Sequence, residues 1–312
     1  MKAQPHTPMS LRFWGVRGSI PSPSPETTRY GGNTSCIEVR MGDEILILDC
    51  GSGMRPLGAS LNAEFKTRGF NATIMISHTH WDHIQGLPFF TPAYSDRNHL
   101  RIFAPTGSRA RIQKALSHQM DPIHFPVRFA NLPGIAGVDE LPKEGKQFGE
   151  LFVRTTGLNH PGGCAGFRFQ GGGACIAYLP DHEPYHSSTL SKKATPEQHA
   201  AQASLVEFVR DCDILILDTQ YDEAEYPQRI GWGHGCIADS VATAIAAEVG
   251  ELVCFHHDPA HSDAKINEML ARGRQLVREA GSRLNLRAAR EGEQLLLQRG
   301  RVAANGLRVV AA

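Results

Sequence analysis

Four potential metal ligands crowd into six positions of the segment His78-Thr79-His80-Trp81-Asp82-His83. They follow the apolar, β-branched run Ala72-Thr73-Ile74-Met75-Ile76, which reads as a buried strand, so the ligands project from a strand end into the turn beyond. Residues two apart in an extended chain share a face. His78 and His80 therefore close on one ion from the same side, while Asp82 and His83, past the turn, aim at a second point. A helical zinc motif would space its histidines four apart, as in His-Glu-x-x-His, and that spacing is absent. The pattern reads as a two-metal hydrolase site.

The same device recurs along the chain. Residues 151–156 form a strand that delivers His160 ahead of Pro161-Gly162-Gly163, and residues 174–179, the second arm of a hairpin around Gly171-Gly172-Gly173, deliver Asp181. The buried run 251–255 ends on His256-His257-Asp258. His256 is preferred as the ligand because it directly follows the strand, and His257 stays open as its competitor. With His78, His80, Asp82 and His83 the set comprises five imidazoles and two carboxylates, enough for two divalent ions. Zn²⁺ is the expected ion, with Mn²⁺ or Fe as alternatives because oxygen donors are present. Two such ions roughly 3.5–4 Å apart make hydroxide available near neutral pH and stabilise charge on a substrate oxygen.

Composition sets the outer bounds. The chain has 312 residues, 41% of them hydrophobic, with 32 basic and 32 acidic side chains. That balance leaves no overall basic field to hold a nucleic-acid backbone. Seven cysteines without a Cys-x-x-Cys pair imply reduced thiols. The first eight residues lack the apolar core of a signal peptide, and no run of 18 apolar residues occurs, so no membrane association is expected and the expected location is cytoplasmic.

Strands and helices alternate, which predicts an α/β arrangement of sheets covered by helices. Strands are expected over 11–16, 35–40, 44–48, 72–76, 100–104 and 213–218, and helices over 57–65, 107–120, 196–211, 237–249 and 264–279. The proline- and glycine-rich segment 122–149 reads as a lid or connecting loop, and 187–195 as a polar loop. Residues 283–286 and 294–297 read as a final hairpin. No linker divides the chain.

With these residues in place, the sequence resembles the metallo-β-lactamase superfamily, whose His-x-His-x-Asp-His signature matches residues 78–83. The resemblance implies a four-layer αββα sandwich of two mixed sheets flanked by helices, forming a single domain over 1–298 with 299–312 as a C-terminal tail of uncertain order. It implies that His78, His80 and His160 hold one metal, that Asp82, His83 and His256 hold the other, and that Asp181 bridges them. Asp49, after the apolar run 45–48, resembles the superfamily's buried aspartate that accepts a hydrogen bond from a ligand imidazole, and His257 joins it in the outer layer of the site.

Within the superfamily the likeness narrows to the phosphodiesterase branch, which includes tRNase Z and cyclic-phosphate phosphodiesterases. His234 stands where that branch has a His-Ser-Thr motif, which implies contact with the phosphoryl group and protonation of the leaving oxygen; Asp82 and His234 are thus the catalytic residues. Here Gly235-Cys236 replaces Ser-Thr, removing the hydroxyl contact. The segments 14–19 and 29–35 look like the N-terminus of cyclic-nucleotide phosphodiesterase-like hydrolases, offering Arg17 and Asn33 as substrate contacts, with Trp232 and Tyr226 for base stacking.

The expected activity is hydrolysis of a small cyclic or nucleotide-like phosphodiester by metal-bound hydroxide. A thioester or lactone hydrolase on the same metals is the alternative, and an RNA-processing nuclease ranks below both. A flavodiiron redox protein would carry Glu at the position of His80, and a metal-stabilised binding protein would have no need of all seven ligands. The expected partner is a small-molecule phosphodiester, with no stable nucleic-acid partner; a homodimer is left open.

Overall fold

Apolar runs bounded by turn residues pair into two sheets in the computed structural model, which describes residues 7–187, 193–299 and 307–311. In chain order the elements are β1 (Met9–Gly15), β2 (Cys36–Met41), β3 (Glu44–Leu48), α1 (Met54–Phe65), β4 (Asn71–Met75), a four-residue α2 (Trp81–Ile84), β5 (His99–Ala104) and α3 (Arg109–Gln119). There follow β6 (Ile135–Glu140), β7 (Lys146–Phe148), β8 (Leu151–Leu158), β9 (Cys164–Gly171), β10 (Ala174–Leu179), α4 (Pro196–Phe208) and β11 (Ile214–Asp218). The chain closes with α5 (Ile237–Ala246), β12 (Glu251–Phe255), α6 (Asp263–Glu279), β13 (Asn285–Ala288), β14 (Gln294–Arg299) and β15 (Leu307–Ala311).

One sheet has eight strands in the order β15-β14-β1-β2-β3-β4-β5-β6, the other seven in the order β13-β12-β11-β10-β9-β8-β7. Side-chain alternation explains how they stack. In β3, Leu46 and Leu48 enter the core between the sheets while Ile45 and Ile47 turn outward to meet Leu57 and Leu61 of α1. In β11, Ile214 and Ile216 face the same inner core, and Leu215 and Leu217 meet Val241 of α5 and Leu270 of α6. Both faces of each sheet are therefore apolar, and the result is the expected αββα sandwich. Among the described residues no helix is long and apolar enough to cross a membrane.

Both sheets contain a parallel run. Strands β3 to β6 are parallel in one, and β10 to β13 in the other. The chain leaves β3, β4, β10, β11 and β12 at Asp49, the 76–83 loop, Asp181, Asp218 and His256, so these strand ends converge on one edge of the sandwich. The carboxyl ends of parallel strands are the usual place for ligands in open α/β sheets.

Two expectations change. Segment 122–149 contains β6, paired with β5, and β7, paired with β8. Both are short, and β6 is a half-exposed edge strand, so neither carries a hydrophobic period. The strands at 285–288 and 294–299 form no hairpin. β13 lies parallel to β12 (Leu252 opposite Leu286), and β14 lies antiparallel to β1 (Leu11 opposite Leu295). The chain crosses between sheets there, anchored by Glu291 N–H to Tyr30 O (2.9 Å) and Gly292 N–H to Phe13 O (2.8 Å). Expectations for 188–192 and 300–306 lie outside the described residues.

Candidate metal centre

The first donor set forms where three loops meet. β4 ends at Met75, and the next turns bring His78 and His80 forward, with His80 immediately preceding α2. His160 arrives after β8 and Asp181 after β10. His160 Nε2 lies 2.9 Å from His80 Nδ1 and 3.6 Å from Asp181 Oδ2, and His78 Nε2 lies 3.6 Å from the same oxygen. Four donors about 2.0–2.1 Å from a tetrahedral ion stand about 3.3–3.4 Å apart. The observed spacings bracket that value.

The second set lies beside it. α2 carries Asp82 and His83 beside His78, whose ring lies 4.3 Å from that of His83. His83 Nε2 is 3.2 Å from Asp82 Oδ2, 3.0 Å from Asp181 Oδ1 and 3.4 Å from His256 Nε2. His256 Nε2 is 3.1 Å from Asp82 Oδ2 and 3.4 Å from Asp181 Oδ1. Asp181 thus offers one oxygen to each set. Its Oδ1 and His78 Nε2 are buried without a hydrogen-bond partner. Buried polar atoms left so are costly, and a cation in each donor set would satisfy them.

The remaining ring nitrogens are held in place. His83 Nδ1 donates to Asp49 Oδ2 (2.9 Å), His256 Nδ1 to Gln220 Oε1 (3.0 Å) and His160 Nδ1 to Gly233 O (2.8 Å), while His78 Nδ1 meets Ser77 Oγ (3.1 Å). Such partners fix the tautomer that leaves the other nitrogen free for a metal. Gly233 has φ of 87°, and a side chain on it would overlap His160 and Pro161. A side chain on Gly18 would overlap the His256 ring.

The electrostatics favour cations. Burial holds His78, His80 and His160 below the usual histidine value, so they stand neutral as metal ligands must. Burial alone would raise the carboxyls of Asp82 and Asp181, but the imidazoles of His83 and His256 outweigh it and keep both well below the ordinary carboxylate range. Burial would likewise lower His83; Asp181, Asp82 and Asp49 overcome it and raise that imidazole. Negative charge is concentrated where the two donor sets meet.

His234 stands over this junction. Its ring stacks on His256 (centroids 4.9 Å apart) and meets His160 edge-on (5.2 Å), and its Nδ1 donates to Asp218 Oδ2 at 2.8 Å. Burial opposes its charge, but Asp218 and then Asp181 prevail and push its pKa up to about 9.

Residues 46–257 match the family model for a β-lactamase superfamily domain, more than half of the chain. The chain belongs to the metallo-β-lactamase superfamily. It is a metal-dependent hydrolase of that superfamily. Ribonuclease Z of Thermoplasma acidophilum is 22% identical over 287 residues, covering 81% of this chain and 88% of that one. The metallo-β-lactamase fold protein YhfI of Bacillus subtilis superposes with a TM-score of 0.66 at 19% identity, covering 93% and 99% of the two chains. A diphosphatase of the PhnP family gives a TM-score of 0.60 at 16% identity, over 92% and 97%.

Of the superfamily residues expected here, His78, His80, Asp82, His83, His160, Asp181, His234 and His256 come together, and Asp49 lies behind His83. Trp232 is 56% exposed beside Gly233, at the margin of the site. Four others do not reach it. Arg17 is fully buried, its guanidinium donating to Gly31 O (2.8 Å), Asp258 O (2.9 Å) and His261 O (2.6 Å), so it serves the loops. Asn33 is spent on Glu291 Oε2 and Ser52 Oγ (both 2.9 Å). His257 bonds Ala289 O (3.1 Å) and packs on Tyr30, so its ring touches no donor. Tyr226, expected to stack on a base, is buried with its hydroxyl on Glu183 (3.1 Å).

Sequence reasoning missed Asp218, Gln220 and Glu183. Asp218 carried a usable signal, since it ends the buried strand β11 as the ligands end theirs. Glu183 accepts from the backbone N–H groups of Gly231 (2.8 and 3.0 Å) and Gly233 (2.8 Å), contacts that no local pattern announces.

Proposed function

We propose that this chain is a cytoplasmic, dinuclear phosphodiesterase acting on a small cyclic or nucleotide-like phosphodiester. The observation that carries the reading is Asp181, whose two oxygens each complete a separate set of four donors. His78, His80, His160 and Asp181 hold one ion; Asp82, His83, His256 and Asp181 hold the other, with Zn²⁺ the proposed metal and Mn²⁺ or Fe the alternatives. Ions so held supply a water-derived nucleophile near neutral pH and Lewis-acid stabilisation of the phosphoryl oxygens. The protein's own residues do the rest. His234, kept protonated by Asp218, donates a proton to the leaving oxygen, and Trp232 offers a face to an aromatic leaving group. Cys236 is fully buried, so its thiol does not stand in for the hydroxyl contact of the phosphodiesterase branch.

A second reading takes RNA as the substrate, favoured by the near-full-length similarity to a protein named ribonuclease Z. A panel decides between them: metal-loaded protein is offered bis(p-nitrophenyl) phosphate, cyclic nucleotides, a thioester, a lactone and a precursor tRNA, alongside the variant His234→Ala. The proposal expects two metals per chain, phosphodiester turnover, and its loss in His234→Ala. Fewer than two metals in well-loaded protein, or thioester or lactone turnover indifferent to that substitution, refutes it. Cleavage of the tRNA alone selects the second reading.

A further inference from the structure

A cleft of about 220 Å³ opens beside Tyr30, and none of the metal donors lines it. Its walls come from four separate segments: Arg29 from the loop after β1, Arg274 from α6, Arg287 from β13 and Arg290 from the crossing before β14. Tyr30 also lines it, with its hydroxyl on Asn267 Oδ1 (2.8 Å) and its ring against His257. Four arginines face a single carboxylate in the lining, that of Glu293, and this one is engaged by Arg287 at 3.0 Å. Arg287 also pairs with Glu251 at 2.6 Å.

The other three guanidinium groups make no ion pair, and that of Arg29 lies over the Tyr30 ring, 5.4 Å from its centroid. Among the described residues no carboxylate is ion-paired with the guanidinium of Arg29, Arg274 or Arg290; Asp263, beside the cleft, accepts instead from the backbone N–H groups of Arg29 (2.9 Å) and Tyr30 (3.2 Å). Burial raises the Tyr30 phenol and Asp263 adds to that, while Arg29, Arg274 and Arg290 oppose it, so all three arginines lie close enough to act on the cleft wall. Guanidiniums gathered at one cleft repel one another, and four of them here stand against the two carboxylates of Asp263 and Glu293. Their planar forks match the oxygens of a tetrahedral anion. At about 220 Å³ the cleft far exceeds the roughly 10–15 Å³ that one water needs, which leaves room for a phosphate group.

We propose that this cleft is a second anion site, separate from the metal centre, that binds the phosphate group of a small molecule through Arg29, Arg274 and Arg290. The group is either free phosphate or the phosphate of a nucleoside monophosphate.

Calorimetric titration of the metal-loaded protein with inorganic phosphate and with adenosine monophosphate tests this. Arg274→Glu and Arg290→Glu are each expected to weaken binding by about tenfold or more, the loss of one charged contact. Arg274→Lys should retain most of it, and turnover of bis(p-nitrophenyl) phosphate should stay within about twofold in every variant, because none of these residues touches the donors. Tighter binding of the monophosphate than of phosphate assigns the group to a nucleotide, and equal binding assigns it to the free ion. Isotherms of the charge-reversed variants that superimpose on the wild type overturn the proposal, since the anion then resides on the metals alone. Binding of a short single-stranded RNA that is lost in these variants, with no response to either small anion, also overturns it.

Discussion

Asp49 is the place where stability and metal binding can be separated in one experiment. Its Oδ2 accepts from Ser77 Oγ (2.8 Å), His83 Nδ1 (2.9 Å) and Tyr178 OH (2.8 Å), and its Oδ1 accepts the Ser77 N–H (2.7 Å). It sits at φ of 58°, a conformation that Asn tolerates, so Asp49→Asn changes the chemistry and spares the backbone. In that variant the amide oxygen can serve three donors, and the amide N–H₂ must then oppose the fourth. Three bonds to a charged acceptor become bonds to a neutral one, at about 1 kcal/mol each, and one buried donor is left unmet at about 1–3 kcal/mol. The sum, about 4–6 kcal/mol, is a large share of a typical folding stability. Loss of the anchor on His83 should also weaken the ion held with Asp82 and His256 by about 10–100-fold. Urea unfolding of metal-loaded protein reads the first quantity, and competition with a chromophoric chelator reads the second. A variant that unfolds within about 1 kcal/mol of the wild type and holds both ions as tightly would refute the reasoning.

Other outcomes follow from the same contacts. Gly18→Ala should displace the His256 ring and lower the affinity for one ion while sparing the other, measured as a drop from two metals per chain towards one. Glu183→Gln weakens the acceptor that holds Gly231, Gly233 and Tyr226, by about 1–3 kcal/mol; since Gly233 O orients His160, metal affinity should fall in the first donor set. If His234 acts as the acid, as proposed, kcat/KM is lost as pH rises through its pKa, placing the alkaline limb at or below about 9 because bound cations disfavour its charge. Asp218→Asn removes the carboxylate that raises this pKa, and the limb should move to lower pH; an unmoved limb assigns it to another group. Chelation should lower Tm by roughly 6 °C, from about 4 kcal/mol of metal binding at a thousandfold excess over Kd and about 1.5 °C per kcal/mol for a chain of 312 residues, followed by differential scanning calorimetry.

What the chain order alone determined was the chemistry and the scaffold beneath it. His78, His80, Asp82 and His83 lie within six residues, so their convergence needs no more than a strand end and a turn. The β-branched runs around them announce buried strands because both faces of each sheet are covered. His160, Asp181 and His256 were legible for the same reason, each directly following such a run. The tertiary structure alone decided everything that depends on partners far apart in sequence. Arg17 carries a charge that pointed to substrate until the 258–261 loop, some 240 residues on, supplied the carbonyls that absorb it. Asn33 was claimed by Glu291 in the same way, and His256 was separated from His257 by Gln220 and Asp82, which reach one ring and not the other. The strands at 285–288 and 294–299 show the limit most plainly. Two short apolar runs around a glycine turn are compatible with a hairpin, and only the open edges of β12 and β1, one in each sheet, send them apart.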